Sequence, residues 1–212
     1  MTHTQGAIFL DRDGVINENS AEHIKSWDEF TFIPGALDSL RDLAQTGLPI
    51  FIVTNQAAVN RGMMSHETLD DIHRRMIAII EEAGGRITKV YYCPHDNHEG
   101  CECRKPGSGM LKQAAAEFGI NLKESFMVGD AWTDVGAGFG VGARSILLLT
   151  GRGRWNFAPA WNRFGLNFAA ACDIADATTM IRAALAGHPM ESTARLRNAF
   201  HMALHPREAL VL

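Results

Sequence analysis

The sequence predicts an α/β protein built on a doubly wound, mainly parallel, Rossmann-like sheet with helices on both faces. Three observations predict it. Short continuous apolar runs suit strands buried on both faces. Segments of helical period alternate with those runs. Polar residues capable of chemistry stand directly after the runs, at the carboxyl ends where such sheets bind ligands.

The first run is Ala7, Ile8, Phe9 and Leu10, ending in charged residues. From Pro34 and Gly35 to Gly47 the spacing of Leu37, Leu40 and Leu43 predicts a helix closed by a glycine. Pro49 to Val53 repeats the buried-strand pattern. Ser65 is a candidate cap for a longer helix with Leu69, Ile72, Met76, Ile79 and Ile80 on one face, ended by Gly84 and Gly85. Ile87 to Tyr92 reads as the third strand and Met110 to Phe118 as a helix. Phe126 to Val128 is the fourth strand, Thr133 to Phe139 a helix and Ser145 to Leu149 the last strand, where the sheet is expected to close. Ile174 to Leu185 reads as a final helix. The expected organisation is one domain over 1–187 and a C-terminal extension over 188–212, poor in periodicity and of unknown role.

Composition narrows the function. With 46% hydrophobic and 21% charged residues, the 212-residue chain has ordinary globular make-up, which excludes disorder as its main state. A net charge of -4 and an isoelectric point near 6.1 remove the cationic footprint of general nucleic-acid binding. No apolar run approaches the roughly 18 residues of a membrane span, and the segment from Met1 to Gly6 lacks the basic and apolar regions of a signal peptide. The expectation is a cytoplasmic monomer whose partner is a small-molecule substrate, with neither nucleic acid nor membrane.

The strongest short signal is Asp11-Arg12-Asp13-Gly14-Val15 after the first strand. A carboxylate at a strand end can attack phosphorus, and a second one two residues on can carry the proton for leaving group and water. Both can help hold Mg²⁺, the usual hard cation of phosphate chemistry. Thr54-Asn55-Gln56, then Lys105 within Arg104-Lys105-Pro106, then Gly129-Asp130-Ala131-Trp132-Thr133-Asp134 follow in order.

This ordered set resembles the haloacid dehalogenase-like (HAD) phosphohydrolase superfamily. The resemblance implies that Asp11 is the nucleophile forming an aspartyl-phosphate and Asp13 the general acid/base. It implies that Thr54 hydrogen-bonds the transferring group and that Lys105 neutralises charge between nucleophile and phosphate. Asp11, Asp13 and Asp130 are then the expected Mg²⁺ ligands, with Asp134 orienting the site from behind them. Asp at position 13 sets the chain apart from the superfamily's dehalogenases and ion pumps and implies rapid hydrolysis of the acyl-phosphate.

Cys93-Pro94-His95 followed by Cys101-Glu102-Cys103 forms a C-x-H-x5-C-x-C pattern. Three thiolates and an imidazole suit a closed tetrahedral Zn²⁺ site, which is structural; His98 is the alternative nitrogen ligand. Cys101 and Cys103 are too close in sequence to pair comfortably as a disulfide. With Arg-Lys-Pro after it, this loop resembles the zinc-loop branch of the superfamily, which contains phosphatases of heptose 1,7-bisphosphate and of histidinol phosphate. That resemblance covers roughly Ala7 to Gly153. It implies a substrate pocket lined by Asn55, Gln56, Ala57, Arg104 and Lys105, with Arg104 reaching the distal groups of the substrate. The segments between motifs are too short for a separate cap domain, so a capless enzyme is expected. The chain departs from the heptose phosphatases at residues 18–23, Glu-Asn-Ser-Ala-Glu-His, where those enzymes usually carry a Gly-Tyr rim segment.

Lesser features take plain readings. Trp132 is expected at the rim, His66 and His73 on the solvent side of the long helix, Gly151 to Arg154 as a mobile basic turn, and Cys172 as an apolar core thiol. A non-enzymatic zinc module is the reading of another class, but no basic or aromatic stripe accompanies the cysteines.

Overall fold

The structure is a computed structural model that describes residues 5–190; most of the expected C-terminal extension, residues 191–212, lies outside the described residues. Six parallel strands form one sheet. They are β1 (Ile8–Leu10), β2 (Ile50–Asn55), β3 (Lys89–Cys93), β4 (Phe126–Gly129), β5 (Arg144–Leu148) and β6 (Ala169–Ala171). Their order across the sheet is β3-β2-β1-β4-β5-β6. The helices are α1 (Ala36–Ala44), α2 (His66–Glu82), α3 (Gly109–Phe118), α4 (Trp132–Phe139), α5 (Gly153–Phe164) and α6 (Ile174–Leu185).

Residue alternation builds two cores. Ile8 and Leu10 point to the face covered by α1, α2 and α6, where they meet Leu40, Leu69, Ile72 and Ile181. Phe9, between them, points to the opposite face with Phe51, Met110 and Leu111 of α3, as a period of two requires. Phe9 and Phe51 stack with ring centroids 5.3 Å apart. Val135 of α4, Leu147 and Ala160 of α5 extend that second face. Ser65 caps α2 as expected, its side chain accepting a hydrogen bond from the Thr68 amide.

The sheet does not close at Leu149. A helix, α5, and a sixth strand, β6, follow it. β6 is three alanines, without the β-branched or aromatic residues that mark strands. α5 opens on a glycine and carries Pro159 inside it, which normally reads as a helix break. Ala160 of α5 nevertheless packs with Leu147 and Val135 in one buried cluster.

The topology places the site. β1 lies between β2 and β4, so the winding reverses across β1 and a crevice opens above its carboxyl end. Leu10 is in register with Ile52 and Val128, which brings Asp11, Thr54 and Asp130 to one edge. Among the described residues, no helix is long and apolar enough to cross a membrane.

Candidate active site

Asp11 follows β1 directly, and its amide donates to the Val128 carbonyl at 2.9 Å, locking the end of β1 to β4. Asp11 Oδ1 accepts from the Arg12 amide at 2.7 Å and lies 2.9 Å from Lys105 Nζ. Lys105 is almost fully buried and bridges two acids, since its Nζ is also 2.6 Å from Asp134 Oδ1. Nζ donates as well to the Val53 carbonyl at 2.8 Å. Asn55 pins the Lys105 backbone from both sides, donating to its carbonyl and accepting from its amide, each at 3.1 Å. A lysine held by three acceptors at fixed positions works as a preorganised charge.

Asp130 follows β4 and is wholly buried. Its Oδ2 accepts from the Arg152 amide at 2.7 Å and from Asn19 Nδ2 at 3.2 Å. Two glycines make room for it. A Cβ on Gly14 would lie 2.2 Å from Asp130 Oδ2, and one on Gly151 would lie 2.3 Å from the same atom. Both glycines also have positive φ, 81° and 51°, which side chains rarely adopt.

Carboxyl groups of Asp11, Asp130 and Asp134 lie within 4.8 Å of one another. Asp13 is not part of that cluster. Its carboxylate turns to Arg12, with Nη2 3.0 Å from Oδ1, and accepts from Asn17 Nδ2 at 2.9 Å and Gln56 Nε2 at 2.8 Å. The carboxyl oxygens thus divide into a trio around Lys105 and a separate, fully satisfied Asp13.

The electrostatics divide in the same way. Burial pushes Asp11 up to about 6; Lys105 opposes the rise, and the charges of Asp134 and Asp13 add to it. Burial and repulsion from Asp11 raise Asp130 against the pull of Arg152. Asp134 is raised by burial despite Lys105. Burial also works against ionised Asp13, but the charge of Arg12 and the hydrogen bonds from Asn17, Arg12 and Gln56 outweigh it and hold the carboxyl low. Three buried acids with raised pKa values are an all-oxygen donor set short of positive charge, which fits a hard divalent cation.

The zinc loop is assembled without a disulfide. Cys93 Sγ is 3.5 Å from Cys101 Sγ and 3.2 Å from Cys103 Sγ, and Cys101 and Cys103 are 3.4 Å apart. His95 Nδ1 lies 3.4 Å from Cys93 Sγ and 3.3 Å from Cys103 Sγ. Donor separations of this size are close to the edges of a tetrahedron with roughly 2.0–2.3 Å bonds to a central Zn²⁺. The nitrogen in the group is that of His95, and His98 is outside it.

One cavity of about 740 Å³ meets the acid cluster at Lys105 and the zinc loop at Cys101, and is lined also by Asp13, Gln56, Ala57, Arg104 and Trp132. Arg104 donates to the His95 carbonyl at 3.0 Å and to Asn97 Oδ1 at 2.9 Å, so it braces the zinc loop while bordering the cavity. Thr54 is buried behind the cavity, and its Oγ1 accepts from Gln56 Nε2 at 2.9 Å, which leaves its own hydrogen to give.

Two sequence readings are corrected here and a third holds. His73 is buried, not solvent-facing, with Nε2 3.2 Å from Arg12 Nη1. The turn at Gly151 to Arg154 is anchored by Arg152 on Asp130, so it belongs to the site. Trp132 does lie on the cavity, with its indole also held under the Arg163 guanidinium at 4.2 Å. Asn19, Arg12 and Arg152 carried no periodic or motif signal of their own, although Arg12 stands between two aspartates and Arg152 between two glycines.

The chain is similar to known proteins. A HAD-hydrolase-like family model matches residues 102–161. The chain is 41% identical over 146 residues to the D-glycero-beta-D-manno-heptose-1,7-bisphosphate 7-phosphatase of Pseudomonas putida, covering 69% of this chain and 83% of that protein. It is 39% identical over 153 residues to the enzyme of the same name from Haemophilus influenzae, covering 69% and 83%. A crystal structure of D,D-heptose 1,7-bisphosphate phosphatase from B. bronchiseptica, complexed with magnesium and phosphate, superposes with a TM-score of 0.79 at 32% identity, over 85% of this chain and 99% of that one.

Proposed function

The chain belongs to the haloacid dehalogenase-like hydrolases, in the branch of the D-glycero-beta-D-manno-heptose-1,7-bisphosphate 7-phosphatases, and from that premise we propose that it removes the 7-phosphate of this heptose bisphosphate. The observation that carries the chemistry is the buried chain Asp11–Lys105–Asp134 with Asp130 beside it, at the carboxyl edge of the sheet. The substrate comes from the relatives.

Asp11 attacks phosphorus in line, and the bond from phosphorus to the sugar oxygen breaks with its electron pair leaving on that oxygen. Asp13 supplies the proton that oxygen needs. A phosphate dianion arriving beside Asp13 favours its protonated form, which offsets the pull of Arg12. Water then attacks the aspartyl-phosphate, Asp13 takes its proton, and Asp11 is released with inorganic phosphate. Lys105 lies 2.9 Å from the nucleophile and offsets charge on the transferring oxygens. The free Thr54 hydrogen can donate to the same group.

Mg²⁺ held by Asp11 and Asp130, with Asp134 tied back to Lys105, would screen the repulsion between nucleophile and phosphate. Asp13 is read as helping to hold it as well, while its carboxylate, turned to Arg12, Asn17 and Gln56, is kept for carrying the proton. Zn²⁺ on Cys93, His95, Cys101 and Cys103 would stiffen the rim that Arg104 braces. Residues 1–187 are read as one capless domain, acting as a cytoplasmic monomer; three thiols grouped for zinc suit a reducing compartment.

The test is hydrolysis of heptose 1,7-bisphosphate, as both anomers, against histidinol phosphate with Mg²⁺ present. The highest kcat/KM is expected for the β-anomer of the bisphosphate. Preference for histidinol phosphate would overturn the substrate, and no phosphatase activity on any of them would overturn the reaction.

A further inference from the structure

One buried group has no part in the mechanism so far. His73, on α2, is 5% exposed and meets Arg12, which is wholly buried. Arg12 spends three of its donor contacts on Asp13: Nε to Oδ1 at 3.3 Å, and Nη2 to Oδ1 and Oδ2 at 3.0 and 3.1 Å. Its remaining nitrogen, Nη1, lies 3.2 Å from His73 Nε2.

A guanidinium has donors and no acceptor. His73 Nε2 must therefore accept, which puts the ring proton on Nδ1 and leaves the imidazole neutral. Burial and the charge of Arg12 push His73 down to about 3, in keeping with that form. Among the described residues, the acceptor that meets Nη1 is His73 Nε2. The Arg12 carbonyl is also fixed, accepting from the Ile16 amide at 2.8 Å and the Asn17 amide at 3.2 Å. The backbone thus sets where Arg12 starts and His73 sets where its fork ends.

We infer that His73 is a positioning residue for phosphate ester cleavage, acting through Arg12 to aim the Asp13 carboxyl at the leaving-group oxygen. This rests on the reading of Asp13 as the proton carrier. An apolar side chain at 73 would leave a buried N–H without an acceptor, and the fork would turn from Asp13 to find one. Asn17 and Gln56 would still hold Asp13, so its aim would be loosened rather than lost.

Leaving-group chemistry separates this role from a structural one. A sugar alkoxide needs a proton as it leaves; p-nitrophenolate does not. In single-turnover experiments with Mg²⁺, His73→Phe is expected to slow cleavage of the preferred sugar phosphate by about tenfold, a fraction of a general acid's usual contribution. Cleavage of p-nitrophenyl phosphate should fall less than threefold. His73→Gln, whose amide oxygen can accept from Nη1, should restore the sugar phosphate rate to within threefold of the parent. His73→Asn, polar but too short to reach, replaces His73→Phe if that variant does not fold. Asp13→Asn is the internal control and should show the same split more strongly. Equal slowing of both esters by Asp13→Asn would overturn the role of Asp13 and this inference with it. A split in Asp13→Asn with equal slowing in the His73 variant, or no rescue by Gln, would overturn the role of His73 alone.

Discussion

Asp11→Asn separates what the nucleophile does for catalysis from what it costs the fold. Asp11 is 5% exposed, and burial pushes its carboxyl from 3.8 to about 6. The folded value lies above the unfolded one, so protonated Asp11 favours the fold fully below pH 3.8 and the advantage is gone once pH passes about 6. At neutral pH the ionised carboxylate therefore weighs against folding by about 3 kcal/mol, at about 1.4 kcal/mol per pH unit. Asparagine has the same shape and no charge. In Mg²⁺-free buffer with zinc retained, urea unfolding should find Asp11→Asn as stable as the parent at pH 4 and more stable by about 3 kcal/mol at pH 7.5. Adding Mg²⁺ should narrow the gap, because a ligand at about 100 times its Kd stabilises the parent by about 2.7 kcal/mol and the variant lacks one ligand. Hydrolysis should be abolished, with zinc content unchanged. A variant less stable than the parent at pH 7.5 would refute the electrostatic reasoning, and full activity would refute the mechanism.

Two further predictions concern the metals and the glycines. Cys101→Ser should leave the purified protein with less than one zinc by elemental analysis and a lowered melting temperature, because metal-binding free energy is folding free energy in such loops; a parent protein purified without zinc would remove the site. Gly14→Ala should cost about 1–3 kcal/mol in urea unfolding, since a left-handed backbone and a Cβ 2.2 Å from Asp130 Oδ2 cannot both persist. Displacing Asp130 should also raise the Mg²⁺ concentration for half-maximal activity, and unchanged Mg²⁺ dependence would show that Asp130 does not bind it.

The parts legible in sequence were those written in local pattern. Buried strands read as apolar runs, and α2 carries both its cap, Ser65, and its apolar stripe. The zinc ligands stand within eleven positions, so spacing alone assembles them. What failed depended on partners distant in sequence. β6 is a strand because Ala169 to Ala171 lie in register with Ile146 to Leu148, not because alanine favours extension. α5 carries Pro159 while its Ala160 packs with Leu147. His73 looks like one more polar residue on α2 until β1 and its loop deliver Arg12 beside it, from 61 positions away in sequence. Arg152 likewise becomes a site residue only where β5 returns to β4 and sets its amide against Asp130.

The pairing of charges explains how aspartates so close in sequence take opposite roles. The four acids of the site divide three cations: Asp11 and Asp134 share Lys105, Asp13 has Arg12, and Asp130 has Arg152. One shared lysine is too little for two buried carboxylates, so Asp11 rises; a private guanidinium with two amide donors is ample for one, so Asp13 falls. Environments that push two carboxyls apart assign acid and base, but the order here is the reverse of the working one, in which Asp11 must be ionised and Asp13 must hold a proton. A divalent cation on Asp11 lowers it, and a phosphate dianion beside Asp13 raises it. Each ligand thus corrects one member of the pair, and neither corrects both.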